Sequence, residues 1–299
     1  MKNFAKLPYF VVLVIIATVF ACNQNSSKDK ETILKGSTTI FVDETLTPII
    51  EDQVAVFEST YDAKIKLIPK SEAETVNSLL KEKSGIAVLS RNLSPQEMKI
   101  FEQKKIKPKV TKIGTDGIAF ISNKNNKDTI IALKDVIDFL HGKSVPSIKG
   151  LVFDNPNSST VRYINSLAGL KSIPENGVFS FKTNDEVIKH VAENDGLIGV
   201  VGVNWLSQPM PTMQEFVDKV SVLAVKGLEQ SAYYTPSQNN IAEGKYALAR
   251  DLYIINGEGF SGLGMGFASF VAGDVGQRII LKSGLLPVRI PTRKFTVTK

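Results

Sequence analysis

From Thr32 onward, short apolar runs of strand character alternate with segments whose apolar residues recur every three or four positions. This alternation constrains the chain more than any single motif. Strands that alternate with helices fold into α/β layers with mostly parallel sheets. Strands are predicted at 38–42, 64–68, 86–89, 110–113, 117–122, 151–154, 178–181, 197–201, 220–225 and 252–255. Helical spacing of Leu46, Ile49, Ile50, Val54 and Phe57 predicts a helix after the first strand. Further helices are expected at 72–81, 94–104, 129–140, 159–167, 185–193, 266–272 and 275–282. The helix at 94 has its own start signal: Ser94 as cap, Pro95 at the first position and Glu97 three after the cap.

The first residues carry an address. Lys2 and Lys6 precede an almost wholly apolar run from Tyr9 to Phe20, which ends in Ala21 and Cys22. That layout is a secretory signal. The run falls short of the roughly 20 residues that span a bilayer. Cys22 is the only cysteine, so neither an internal disulfide nor a multi-cysteine metal site is open to it. Val19-Phe20-Ala21-Cys22 resembles the bacterial lipobox, which implies cleavage before Cys22 and lipidation of its thiol. The polar stretch that follows is a flexible tether. The expected partition is 1–21 signal peptide and 22–32 tether, with the mature chain lipid-anchored to a bacterial membrane and facing the periplasm or the exterior. A formal net charge of +6, with acids interspersed among the bases, does not indicate a nucleic-acid binder, and none is expected.

Open α/β sheets bind ligands at the carboxyl ends of strands, where helix N-termini favour anions. Four loops therefore hold candidates. Asp154 to Thr160 places Ser158, Ser159 and Thr160 in a row at a helix start, with Arg162 two residues further on. Ser90-Arg91 follows the apolar strand 86–89, and arginine offers a rigid fork for oxyanions. Asp43-Glu44-Thr45 and Lys70-Ser71-Glu72 follow the first two strands. Each of these is equally readable as an ordinary helix cap.

The ending Gly276-Gln277 through Gly284 to Pro287 resembles that of the phosphate-binding proteins of ABC transporters. Ile198 to Gly202, Thr115 to Ala119, Ser90 to Leu93 and Asn157 to Thr160 resemble further segments of that family, in the same order. The resemblance, over about residues 33–291, implies an α/β type 2 periplasmic-binding-protein fold with two α/β lobes joined by two crossing strands. It implies lobe 1 at 33–115 plus 227–299 and lobe 2 at 116–226. It implies ligand donors Thr45, Ser71, Arg91, Ser158, Ser159 and Thr160, an inorganic phosphate or similar oxyanion as ligand, and an ABC permease as partner. A monomer without cofactor, metal or catalytic role is expected. The chain has Ser158-Ser159-Thr160 where the family often has Ser-Gly-Thr, Asp154 where many members have arginine, and Asp43 and Glu44 in place of small hydroxyl residues. Glu44 or Asp116 would accept the proton that hydrogen phosphate carries and sulfate lacks, so either is a candidate discriminator.

Two other readings stay open. The same fold can serve as a sensor or scaffold with a different ligand or none. A cell-surface nucleotide-using enzyme is suggested by Gly257-Glu-Gly259-Phe-Ser-Gly262, which fits GxGxxG but lacks the acid about 20 residues on. Ser78 to Lys81 fits SxxK on a helix surface, His141 and His190 read as surface residues, and Trp205 is expected near the lobe junction.

Overall fold

The computed structural model describes residues 31–82 and 85–290. Residues 1–30, with Cys22 and the expected signal, lie outside the described residues.

In chain order the elements are β1 (Lys35–Asp43), α1 (Thr47–Thr60), β2 (Asp62–Lys70), α2 (Glu72–Lys81), β3 (Ile86–Leu89), α3 (Pro95–Gln103) and β4 (Lys109–Asn123). There follow β5 (Ile130–Ala132), α4 (Leu133–Leu140), β6 (Gly150–Phe153), α5 (Ser159–Ala168), β7 (Val178–Ser180), α6 (Asn184–Glu193) and β8 (Leu197–Gly202). The chain continues with α7 (Asn204–Ser207), α8 (Gln214–Val217), β9 (Val220–Val222), β10 (Ala224–Lys226), α9 (Gln238–Ala242), β11 (Ala249–Asn256), α10 (Leu263–Ala272), α11 (Asp274–Lys282) and β12 (Leu286–Pro287).

The main sheet runs β2-β1-β3-β11-β4-β8-β6-β7, with β9 and β12 also on β4. β1 is parallel to β2 and β3, and β6 is parallel to β7 and β8. β4 joins the two halves: residues 109–117 pair antiparallel with β11, and 118–122 with β8. The return path meets it at the same point, where Ala249 opens β11 opposite Gly117.

Both sheet faces are covered, which is why the strands read as continuous apolar runs. In β1, Ile40 and Val42 enter a core with Ile50, Phe57 and Phe267, while Phe41 points to the opposite face and packs with Leu79, Leu89 and Phe101. The second half repeats the plan. Phe120, Leu151 and Val200 line one face, and Ile121, Val187 and Val201 the other. The alternation follows from the two-residue period of a strand.

Among the boundaries that differ from expectation, three are set by partners elsewhere in the chain. The two strands at 110–113 and 117–122 are one strand, because Gly114, Thr115 and Asp116 all pair with β11. The helix expected from 129 begins at Leu133, because Ile130–Ala132 pairs in parallel with β10, nearly a hundred residues later. The strand expected at 220–225 divides around Leu223: β9 joins β4 while β10 joins β5.

Gly266 in α10 lets the N-terminal segment dock. A Cβ there would stand 1.6 Å from the carbonyl oxygen of Ile33, a backbone atom with little freedom to move. Gly266→Ala is expected to destabilise the fold by about 1–3 kcal/mol, measured by urea unfolding. An unchanged midpoint would mean that residues 31–34 do not pack on α10.

Candidate functional site

The parallel strands of each half end at one seam. β1, β2 and β3 deliver Asp43 to Thr45, Ser71-Glu72 and Ser90-Arg91; β6 and β8 deliver Asp154 to Thr160 and Asn204-Trp205. The loops touch across the seam. Thr45 Oγ1 donates to Asp154 Oδ2 at 3.4 Å, and Ser159 Oγ donates to Thr45 Oγ1 at 3.4 Å. The Ala73 amide donates to the Asn157 carbonyl at 3.2 Å. Trp205 Nε1 donates to the Thr45 carbonyl at 2.8 Å, which places the tryptophan at this junction. Asn184 caps the arrangement, with Nδ2 donating to Glu44 Oε2 at 3.0 Å and to Asp154 Oδ2 at 3.2 Å.

Thr45, Ser158, Ser159 and Thr160 are thus brought together. All four are buried, and Thr160 Oγ1 has no hydrogen-bond partner. Ser158 does two jobs: its hydroxyl accepts from the Val161 amide as helix cap and donates to Asp154. Ser71 is buried nearby, but its hydroxyl donates to Glu74 Oε2 at 2.7 Å. Arg91 is fully engaged. Its Nε donates to Glu72 at 2.8 Å, and Nη1 and Nη2 donate to the two oxygens of Glu97 at 2.8 Å each. Helix α3 makes this pairing possible, because its capping box fixes Glu97 in the first turn, folded back on Ser94.

Arg250 escaped the sequence reading. It lies in β11 directly opposite Asp116 of β4 and is 4% exposed. Its Nη2 and Nε donate to Asp116 Oδ2 at 3.0 and 3.3 Å, and Nη1 donates to Ser159 Oγ at 2.8 Å. A planar fork is what lets one side chain serve a carboxylate and a hydroxyl together. The available signal was an arginine flanking an apolar strand, hidden because that strand was expected to begin at Leu252. Asp116 turns out to be Arg250's counter-ion, and its Oδ1 accepts from the Gly117 amide.

Glu72 is a second centre. Its carboxylate accepts from Arg162 Nε at 2.6 Å and Nη2 at 3.1 Å, from Arg91 Nε at 2.8 Å and from Ser90 Oγ at 3.1 Å. Arg162 reaches it from α5, on the far side of the seam.

Burial raises the carboxyls here. Asp43 is pushed up to about 7, first by loss of solvent and then by the charge of Glu72. Glu44 is pushed up to about 8 by burial and by Asp154. Burial lifts Asp154 to about 6 and moves Asp116 in the same direction. Near neutral pH several of these groups carry a proton, and a protonated carboxyl donates a hydrogen bond. Asp43 Oδ2 is buried with no partner.

The other motifs have ordinary settings. The glycine-rich 257–262 segment follows β11, which is antiparallel to both its neighbours, so no parallel βαβ unit exists there. The N-terminus of α10 is filled from within the chain. The Leu263 amide donates to Glu31, and the Gly264 and Met265 amides hold Glu258. The position a nucleotide phosphate would take is therefore occupied by carboxylates. His141 Nε2 lies 3.0 Å from the Ala168 carbonyl, and His190 packs on Phe181 and Phe179. Ser78 accepts from Lys70 on the side of α2. Among the described residues no group of three or more His, Cys, Asp or Glu could hold a metal ion, and no helix is long and apolar enough to cross a membrane.

Two sheet halves joined through one long strand, with polar loops meeting at a seam between them, define a two-lobed α/β fold. The family described as PBP superfamily domain matches residues 26–275, and the chain belongs to that family. No curated protein matches it. Among solved structures it shares its fold with a putative phosphate ABC transporter substrate-binding protein with bound phosphate from Clostridium perfringens. That similarity has a TM-score of 0.70 and 22% identity, covering 85% of this chain and 100% of that one. It also shares the fold with an ABC-type phosphate transport receptor from Vibrio cholerae, with a TM-score of 0.63 and 16% identity over 84% of this chain and 100% of the other. PstS from Borrelia burgdorferi is similar at a TM-score of 0.51 and 21% identity, covering 85% and 100%.

Proposed function

We propose that the chain is the extracytoplasmic solute-binding component of an ABC importer, not an enzyme, and that it captures a small oxyanion, phosphate foremost, in the seam. Its lobes would be 33–115 with 227–299, and 116–226, working as a monomer held to the membrane through a lipid on Cys22. One observation carries this reading: the guanidiniums of Arg91, Arg162 and Arg250 gather with the hydroxyls of Thr45, Ser90 and Ser158 to Thr160 where loops of both halves meet. The structures with the same fold, two of them named for phosphate transport or binding, support it. Charge-assisted hydrogen bonds contribute about 1.5–3 kcal/mol each. Five of them come to about 7.5–15 kcal/mol, which spans the roughly 8 kcal/mol of a micromolar complex before ordering costs. Opening and closing about the β4 and β11 crossing would admit the ligand and exclude water.

The acids add selectivity on this reading. In their ionised forms, which burial confines to the upper part of the pH range, Glu44 and the unpartnered Asp43 Oδ2 would accept a hydrogen bond from hydrogen phosphate's proton and repel sulfate, so this discrimination belongs to pH 8 and above. Calorimetry with phosphate, arsenate and sulfate is expected to show micromolar binding of the first two and binding at least about tenfold weaker for sulfate. An intact protein that gives no heat with phosphate would overturn the proposal.

The charge count favours a second reading, a sensor or scaffold with another ligand or none. Asp43, Asp116 and Asp154 surround Arg250, which pairs with Asp116, and Glu44 lies against Asp43 and Asp154. Native mass spectrometry of the protein as purified separates the two. Carried phosphate supports transport, and a bare chain that stays bare after phosphate is added supports the scaffold.

A further inference from the structure

The two guanidinium centres in the seam are not equivalent. Arg250 is closed to a ligand: its three nitrogens are spent on Asp116 and Ser159, and Asp43 and Asp154 add negative charge beside it. An anion placed there would face three carboxyl groups with a single cation between them.

The Glu72 centre has the opposite character. Arg91 through Nε and Arg162 through Nε and Nη2 reach one carboxylate from opposite sides of the seam, and Ser90 adds a hydroxyl. Converging guanidiniums with a hydroxyl between them are how proteins receive a carboxylate or phosphate group. Here the group received is the chain's own carboxylate, on a residue 2% exposed. A purely structural clasp needs no opening, yet a groove of about 400 Å³ reaches these residues and is lined by Glu72, Arg91, Ser158, Arg162, Asn165 and Lys171. Arg162 Nη1 makes no hydrogen bond among the described residues. The groove therefore has polar capacity in reserve beside the carboxylate that fills the cradle.

We propose that Arg91, Arg162 and Ser90 form the anion-receiving cradle of this protein, and that the Glu72 carboxylate is an internal occupant which an incoming oxyanion displaces. Arg91 stays neutralised by Glu97 throughout, so the charge exposed by displacement is that of Arg162, with Lys171 at the groove wall. The ligand class that fits is a small oxyanion, free or at the end of an organic molecule short enough for the groove. This assignment rests on the oxyanion reading above and names the donors of that site.

The test is calorimetry with inorganic phosphate on the full chain and three variants. Glu72→Gln keeps the side chain's size and removes its charge, so phosphate is expected to bind at least about tenfold tighter than to the wild type. Adding Arg162→Gln to that variant is expected to abolish the gain. Arg162→Gln alone is expected to weaken phosphate at least about tenfold, and it remains decisive should the Glu72 variant not fold. Phosphate binding by the wild type with equal affinity in Glu72→Gln, or unchanged affinity in Arg162→Gln, overturns the cradle and leaves the oxyanion reading intact. Silence from every protein overturns both. Binding only after Glu72 is neutralised supports the cradle and shows that the wild type does not take up free phosphate.

Discussion

Arg250→Met is expected to destabilise the protein by about 3–5 kcal/mol, the usual cost of stranding one partner of a buried ion pair. The reason is local. Asp116 is wholly buried, and Oδ2 receives both of its side-chain hydrogen bonds from Arg250. Without the guanidinium, that carboxylate must take up a proton or open the strand pair to water, and Ser159 loses its donor as well. The pair sits where β4 passes between the sheet halves, so the loss falls on the segment both halves share. The double variant Asp116→Asn with Arg250→Met removes both charges and should recover most of the loss. Arg250→Lys should recover little, because one ammonium cannot hold Asp116 and Ser159 at the fork's separation. Denaturant unfolding of the four proteins measures these differences. A cost below about 1 kcal/mol for Arg250→Met would mean that Asp116 is not ionised in the folded protein, and the charge balance of the seam would need redrawing.

Much of the scaffold was legible because its signals are local. The stretch 72–81 forms a helix and 86–89 a strand at the expected residues. In each, the apolar spacing and the flanking polar residues lie within one turn of the boundary they set. The loops holding Thr45 and Ser158 to Thr160 were legible for a related reason: hydroxyl residues after an apolar strand mark a strand-to-helix turn. What stayed hidden depends on partners far away in the sequence. Arg250 and Asp116 are 134 residues apart, and nothing beside either announces the other. Glu72 reads as part of a helix cap and Arg162 only as an arginine two residues past the hydroxyl run, yet they meet across 90 residues. β5 fell into a helical pattern because its strand character comes from β10. Local chemistry thus marked the loops that reach the seam, while the long-range pairing of charges decided which side chains remain available within it.

That pairing leaves a surplus of buried acid, and the surplus should show in how stability changes with pH. Asp43, Glu44 and Asp154 titrate near 7, 8 and 6 in the folded chain, against about 4 when unfolded. The folded state therefore holds more protons than the unfolded state between those values. Stability is fully present below the unfolded values and falls as pH rises, by about 1.4 kcal/mol per pH unit for each group still protonated only in the folded state. The groups facing Asp43 are Glu72, Arg250, Ser159 and Asp154, and those facing Glu44 are Asp154, Asp43 and Asn184. Arg250 opposes the trend and the acids reinforce it. The unfolding temperature is expected to drop by several degrees from pH 5 to pH 8, with Glu44→Gln flattening the slope and raising stability at pH 8. A midpoint that rises over this range would show that the acids ionise freely in the seam. The same protons would bear on ligand binding only for an anion seated in the inner cluster: near neutrality they turn carboxyls from repelling groups into donors, and phosphate affinity would then be higher at pH 6 than at pH 8. If stability follows the predicted slope while affinity does not, the acids of the inner cluster lie outside the ligand's reach, which is the arrangement expected when the anion is received by Arg91 and Arg162.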